Sequence, residues 1–119
     1  MPIPSQVLAS GNSPLSTTSI CGTGATGLVA TGSSITDALQ LSSSWNTITT
    51  SSASTGVILP PTEVGATIGI RNDSGQTIKV YPKASSTVNA GASSVDLATA
   101  KTMLLFATSA TTWASITTA

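Results

Sequence analysis

The side chains that could do acid, base or metal chemistry in this chain are few and far apart. The 119 residues include four Lys or Arg, four Asp or Glu, one Cys and no His. General acid and base catalysis needs titratable groups that meet in one place, and zinc or calcium needs a cluster of ligands. The sequence therefore predicts a protein that is not an enzyme and has no metal or cofactor. The charged residues are Asp37, Glu63, Arg71, Asp73, Lys79, Lys83, Asp96 and Lys101.

Nucleophile and phosphate-binding motifs are not supported either. Hydroxyl side chains are abundant, but none lies in a nucleophile elbow or a Ser-x-x-Lys motif. Cys21 is alone, which fits a small buried residue better than a reactive thiol. The glycine-rich run 22–27 is not followed by Gly-Lys-Ser/Thr or bracketed by a strand and a helix, so it is interpreted as a hinge.

The charge balance bears on the partners of the protein. Net charge is zero and only 7% of residues are charged, so no basic stripe is available for nucleic acid. No apolar run approaches the roughly 20 residues of a membrane span, which predicts no membrane partner. A surface with so little charge gives little colloidal repulsion. We therefore expect the chain to be part of an assembly.

The chain divides into two segments whose sequence patterns differ. Residues 1–22 are punctuated by proline and glycine without a sustained apolar period, which predicts an extended N-terminal arm. Residues 23–119 contain short β-branched runs between turn-forming clusters, which is typical of all-β domains. The predicted fold is a compact antiparallel sandwich or barrel, similar to a jelly roll, that follows the arm. A solenoid of the kind found in ice-binding proteins is not favoured, because no motif recurs at a constant period.

One hairpin is predicted in detail. Ile68 and Ile70 alternate with polar or small residues, and so do Ile78 and Val80. If the two apolar faces coincide, Ile70 pairs with Ile78 and Ile68 pairs with Val80, around a three-residue loop at 73–75.

The run Thr102–Ala107 is apolar on both faces, so we expect both faces to be covered. In a domain of this size, one cover could be another subunit. The run is interpreted as a core strand or, alternatively, as a strand shared between the core and a subunit interface, for which Met103, Leu105 and Trp113 are the candidate residues.

Several short motifs, taken in their order along the chain, resemble a known family. They are Thr26–Gly32, Asn46–Thr50, Gly56–Pro60, Gly65–Asn72 and Lys79–Pro82, closing on Trp113. This series resembles a small β-module of tailed-bacteriophage virion proteins. The resemblance runs from about Gly24 to Trp113 and leaves the arm uncovered.

The resemblance implies a virion structural protein, either a capsid decoration (cement) protein or a head or tail fibre domain, and usually a homotrimer. A single domain with a short arm favours decoration, with the major capsid protein as partner and the outer surface of the capsid as location. The arm is then the capsid contact, through Pro2, Ile3, Pro4, Val7 and Leu8.

A glycan-binding fibre module for host adhesion is the alternative, with Trp45, Tyr81 or Trp113 as a platform on which a sugar stacks. A secreted β-module from outside viruses is a third reading of the same pattern.

Overall fold

The computed structural model describes residues 3–91 and 93–118 and confirms the all-β prediction, with 42% strand and 11% helix. The helices are α1 (Pro4–Ala9) and α2 (Pro14–Cys21). The strands are β1 (Gly24–Val29), β2 (Leu39–Gln40), β3 (Trp45–Thr50), β4 (Gly56–Ile58), β5 (Thr67–Asn72), β6 (Ile78–Tyr81), β7 (Thr87–Val88), β8 (Val95–Leu97), β9 (Lys101–Ala107) and β10 (Thr112–Thr117).

The first six strands wind as a β-solenoid, so the predicted antiparallel jelly-roll sandwich is wrong in its topology. Strands β1, β3 and β5 pair in parallel in one sheet, and β2, β4 and β6 pair in parallel in a second. Each coil therefore gives one strand to each sheet. Parallel neighbours require a crossover rather than a tight hairpin, and here the crossover is the strand of the opposite sheet.

The coils differ in length, which is why the sequence shows no constant repeat. Gly24 pairs with Trp45, and Trp45 pairs with Gly69, so successive coils take about 21 and 24 residues. Strands stay aligned because their hydrogen bonds set the register, while the turns between them vary freely at the surface. The expectation that a solenoid needs a fixed period was wrong for this chain.

The later strands close the stack with mostly antiparallel pairing. Strand β9 pairs antiparallel with β5, β10 pairs antiparallel with β9, and β7 adds in parallel to β10. Strand β8 pairs antiparallel with β6. The result is a six-stranded sheet, ordered β1-β3-β5-β9-β10-β7, and a four-stranded sheet, ordered β2-β4-β6-β8.

The core lies between the two sheets and is made by alternate residues of each strand. Its members in the six-stranded sheet include Ile48, Ile70 and Leu105, and those in the four-stranded sheet include Val80 and Leu97, all 0% exposed. Alternation places successive side chains on opposite faces, so each strand has one buried row. The outward rows of the six-stranded sheet are then free to form a surface.

The predicted hairpin does not form, although all four of its apolar residues are buried. Strands β5 and β6 lie in different sheets, so Ile70 and Ile78 face the same core without pairing. Asn72, itself buried, stabilises the crossing turn. Its side-chain amide donates to the carbonyls of Gln76 (2.7 Å) and Leu97 (2.8 Å), and its side-chain oxygen accepts from the Ser74 N–H. These bonds turn the chain into the opposite sheet.

The N-terminal segment is helical where extended chain was predicted. Pro4 is at the start of α1, where a missing N–H costs nothing. The two helices pack on each other far more than on any strand. Within residues 3–91 and 93–118, no helix has the length and apolarity to cross a membrane.

Candidate interaction surface

Within the described residues, four of the eight charged side chains form exposed ion pairs. Arg71 contacts Asp73 (2.7 Å) and Lys79 contacts Asp96 (2.9 Å). The hydrogen bond from Lys79 to Asp96 raises the pKa of the lysine above its ordinary value. In the described part of the chain, no three acidic, Cys or His side chains meet in a group that could hold a metal ion.

The Asp37 carboxylate is an acceptor of hydrogen bonds within a turn. Its carboxylate accepts hydrogen bonds from the Ser34 hydroxyl (2.8 Å) and from the N–H groups of Ser34 (2.8 Å) and Ser33 (3.1 Å). These bonds, chiefly those from Ser34, lower the pKa of Asp37. The carboxylate therefore holds the turn before β2 together.

The outward face of the six-stranded sheet carries an apolar row that crosses four strands. Trp45 pairs with Gly69, Gly69 with Leu104, and Leu104 with Ile116. Phe106 is two residues beyond Leu104 on the same side of β9. We call these five residues, Trp45, Gly69, Leu104, Phe106 and Ile116, the outer patch.

The outer patch is exposed and contains a pocket. Trp45 is 44% exposed, Phe106 38% and Ile116 63%. The Trp45 ring covers Gly69, where a side chain would collide with it. Beside this ring is a cavity of about 240 Å³, whose lining includes Leu104, Phe106 and the edges of Ile68 and Leu105.

The chemistry of this pocket is that of a contact surface. Its lining includes the hydroxyls of Ser44 and Thr67, and none of the described residues that line it is titratable. A pocket without an acid, a base or an activated nucleophile offers shape and apolar area rather than reactivity. Exposed apolar patches of this kind mark interaction sites.

The residues of the predicted subunit interface lie on the inward face of β9 and β10. Met103, Leu105 and Trp113 are 1%, 0% and 0% exposed and lie in the core of this chain, so they have no surface left for a partner. The outward neighbours Leu104 and Phe106 are the exposed members of the same run. Alternation through 102–107 separates these two residues from Met103 and Leu105, but it does not tell which row faces outward.

The predicted glycan platform is not assembled in one place. Trp45 lies on the six-stranded sheet and Tyr81 on the four-stranded sheet. The hydroxyl of Tyr81 donates to the Ser33 carbonyl (2.8 Å). Trp113 is in the core, 0% exposed, and its indole N–H has no hydrogen-bond partner within the described residues.

The N-terminal segment ends beside the outer patch. The Trp45 N–H donates to the Thr23 carbonyl (3.0 Å), and Gly22 lies against Ser44. Among the predicted capsid contacts, Ile3 is 51% and Leu8 46% exposed, Val7 is half-buried and Pro4 is exposed. Pro2 lies outside the described residues.

An ice-binding surface is not supported by the outward rows of the solenoid. Such a surface needs threonines stacked in register across neighbouring strands. Here Thr47 pairs with Arg71, and Trp45 pairs with Gly69.

Comparison with known proteins gives no relative from which to transfer a function. No family model, curated protein or solved structure matches the chain.

Proposed function

We propose that this protein is a virion structural component, and that it acts as a capsid decoration protein on the outer surface of the head. The observation that carries the proposal is the outer patch, an uncharged apolar surface with its own pocket. A surface of this kind is stabilised when another protein covers it. The resemblance in the sequence motifs supplies the viral setting and implies a homotrimer.

The N-terminal segment is the proposed capsid attachment. Its exposed Leu8 and Leu15 lie on two helices that the strands hardly touch, and the exposed Ile3 directly precedes the first helix. A short apolar helix fits a groove on a partner protein, which is one established mode of peptide recognition. Many such contacts around a capsid add through multivalency and resist the pressure of packaged DNA.

Salt dependence tests this attachment. The segment 3–21 contains no charged residue, so binding through it is insensitive to ionic strength. We expect particles washed in molar salt to retain the protein, and particles mixed with a Leu8→Asp variant to bind much less of it. Thr49→Asp, an exposed site on β3 outside the patch, is the matched control. Release of the unmodified protein by salt alone would contradict the proposal.

Glycan binding is the second candidate, and one observation favours it. The Trp45 ring is 44% exposed on an open face, as a sugar-stacking ring must be. A glycan array separates the two functions. Binding that Trp45→Ala abolishes and Tyr81→Ala leaves intact would establish adhesion, whereas an array without a ligand would favour decoration.

A further inference from the structure

Large apolar side chains are exposed in two parts of the molecule that follow each other in the chain. One set is in the N-terminal segment, where Ile3 is 51%, Leu8 46% and Leu15 79% exposed. The other set is the outer patch. Neither part carries charge, since segment 3–21 contains no charged residue and none lines the pocket of the patch. Two uncharged apolar surfaces on one molecule are stabilised when they cover each other.

The joint between the two parts lies at the rim of the pocket. Ser44 lines the pocket, and a Cβ added at Gly22 would lie 2.7 Å from the Ser44 hydroxyl oxygen. The Thr23 carbonyl accepts a hydrogen bond from the Trp45 N–H (3.0 Å), and Gly24 pairs with Trp45. Thr23 is therefore fixed to β3, and the N-terminal segment leaves from the edge of the outer patch.

The backbone on both sides of Thr23 suits a hinge. Gly22 has a φ of +79°, a conformation that glycine adopts without strain. Gly24 shares the outward side with its partner Trp45, and a Cβ built on Gly24 meets nothing within 4 Å. There is therefore room beside Trp45 for α2 to turn toward the outer patch.

Helix α2 has the length to reach the centre of the outer patch from this hinge. Leu15 and Gly22 are seven residues apart, and at a helical rise of about 1.5 Å per residue this separation is about 10 Å. Leu104 is two strands away from Trp45, and at a strand spacing of about 4.8 Å this distance is also about 10 Å. Because α1 packs on α2, it would move with it and bring Leu8 over the same face.

We propose that residues 3–21 form a strap that closes over the outer patch of its own chain, with Gly22 as the hinge and Leu15 beside Leu104. The short tether favours this contact over one with a separate molecule, because it holds the two surfaces at a high effective concentration. The structure has the open arrangement, in which both surfaces are exposed. One part of the inference rests on the proposed function: the closed strap hides its capsid-binding side chains, and a capsid that binds them uncovers the patch.

Quenching of tryptophan fluorescence by acrylamide tests closure in the full chain. Trp113 is 0% exposed, so quenching reports on Trp45. Leu15→Asp should increase the quenching constant several-fold over that of the unmodified protein, because a carboxylate is costly to bury in an apolar pocket. Ser16→Asp adds the same charge at an exposed position on a different side of α2, and should leave Trp45 shielded. Equal quenching in all three proteins would overturn the strap. Shielding that is lost on dilution would also overturn it, since a second copy would then be the cover.

A disulfide tests where the strap lies. In a Cys21→Ser background, Leu15→Cys with Leu104→Cys should form an intramolecular disulfide on mild oxidation. The reaction should be roughly tenfold faster than for Leu15→Cys with Thr49→Cys, an exposed position on β3 outside the patch. Cysteine is itself a small apolar residue, so the contact is retained. Non-reducing electrophoresis measures the products, and circular dichroism confirms that each variant is folded. Equal rates, or disulfides between chains, would overturn the proposed contact.

The same cysteine variant separates this inference from the proposed function. Its oxidised form should not attach to capsids, and its reduced form should attach. A strap that forms the disulfide but does not attach when reduced contradicts decoration alone. A reduced protein that attaches without ever forming the disulfide contradicts the strap alone, and attachment of the oxidised form would show that the strap does not hide the capsid contacts.

Discussion

Each sheet has an aromatic ring that covers a glycine on its outward side, and the two rings have different surroundings. On the four-stranded sheet, Tyr81 covers Gly56 and its hydroxyl is bonded to the Ser33 carbonyl. On the six-stranded sheet, Trp45 covers Gly69, and its indole forms no hydrogen bond within the described residues.

The two faces differ in how polar their exposed side chains are. The Tyr81 ring shares its outward row with Lys79, which is paired with Asp96, so that face has polar groups directed to water. The Trp45 ring is next to Leu104 and an open cavity. The same packing device, an aromatic ring over a strand glycine, therefore belongs to a hydrogen-bonded polar face on one sheet and to an exposed apolar face on the other.

The largest difference in unfolding free energy between the two faces is expected when each glycine is replaced by alanine. In Gly56→Ala the new Cβ would lie 2.5 Å from the Lys79 carbonyl oxygen, which belongs to a paired strand and cannot move away. Overpacking of this kind costs about 1–3 kcal/mol of unfolding free energy. In Gly69→Ala only the exposed Trp45 ring has to move, and the expected cost is about 1 kcal/mol or less. Urea denaturation at one fixed dilute concentration measures both. Equal losses would show that Trp45 is held as rigidly as Tyr81.

A smaller effect is expected from removing the bond that holds Tyr81. Tyr81→Phe keeps the ring over Gly56 and deletes the donor to the Ser33 carbonyl. The expected loss is about 0.5–1.5 kcal/mol, the net worth of one such bond. Trp45→Phe also keeps a ring and deletes no hydrogen bond, so its effect should stay within about 0.5 kcal/mol. Thermal unfolding of both variants measures the two losses of stability. A larger loss in Trp45→Phe than in Tyr81→Phe would contradict the expected order.

The smallest effect concerns the ion pair on the Tyr81 face and depends on pH. Asp96 raises the pKa of Lys79 in the folded protein. The stabilisation that the Lys79–Asp96 pair gives is therefore fully present at pH values below the pKa of lysine in the unfolded chain. It is lost as the pH rises through the pKa of Lys79 in the folded protein. Asp96→Asn should melt slightly below the unmodified protein at neutral pH, and the two should converge at alkaline pH. A gap that is constant with pH would mean that Asp96 acts by packing instead.

Which residues are buried could largely be predicted from the alternation of apolar and polar residues along the strands. The apolar residues at 68, 70, 78 and 80 were expected to share a buried face, and all four are in the core. Their pairing was not readable. Two apolar strands that follow each other can pair by hydrogen bonds in one sheet or face each other across a core, and alternation is the same in both arrangements.

The strand that carries the candidate site was predicted, but its outward face was not, again because alternation does not show how strands are arranged. The doubly apolar character of Thr102–Ala107 identified the strand from which the outer patch is built. Which of its faces looks outward depends on where β5 and β10 lie, because those strands fix how β9 is oriented against the four-stranded sheet. Leu104 was therefore missed, and Met103 and Leu105 were taken for the interface.

The sequence by itself determined the all-β class, the alternating rows and the shortage of charge, because each of these is set by residue types and by the two-residue period of a strand. The tertiary structure alone decided that the strands coil in parallel and that Trp45, Leu104 and Ile116 meet on one face. Strand pairing joins residues far apart in the chain, and turns of unequal length hide from the sequence the repeat that the folded coils share.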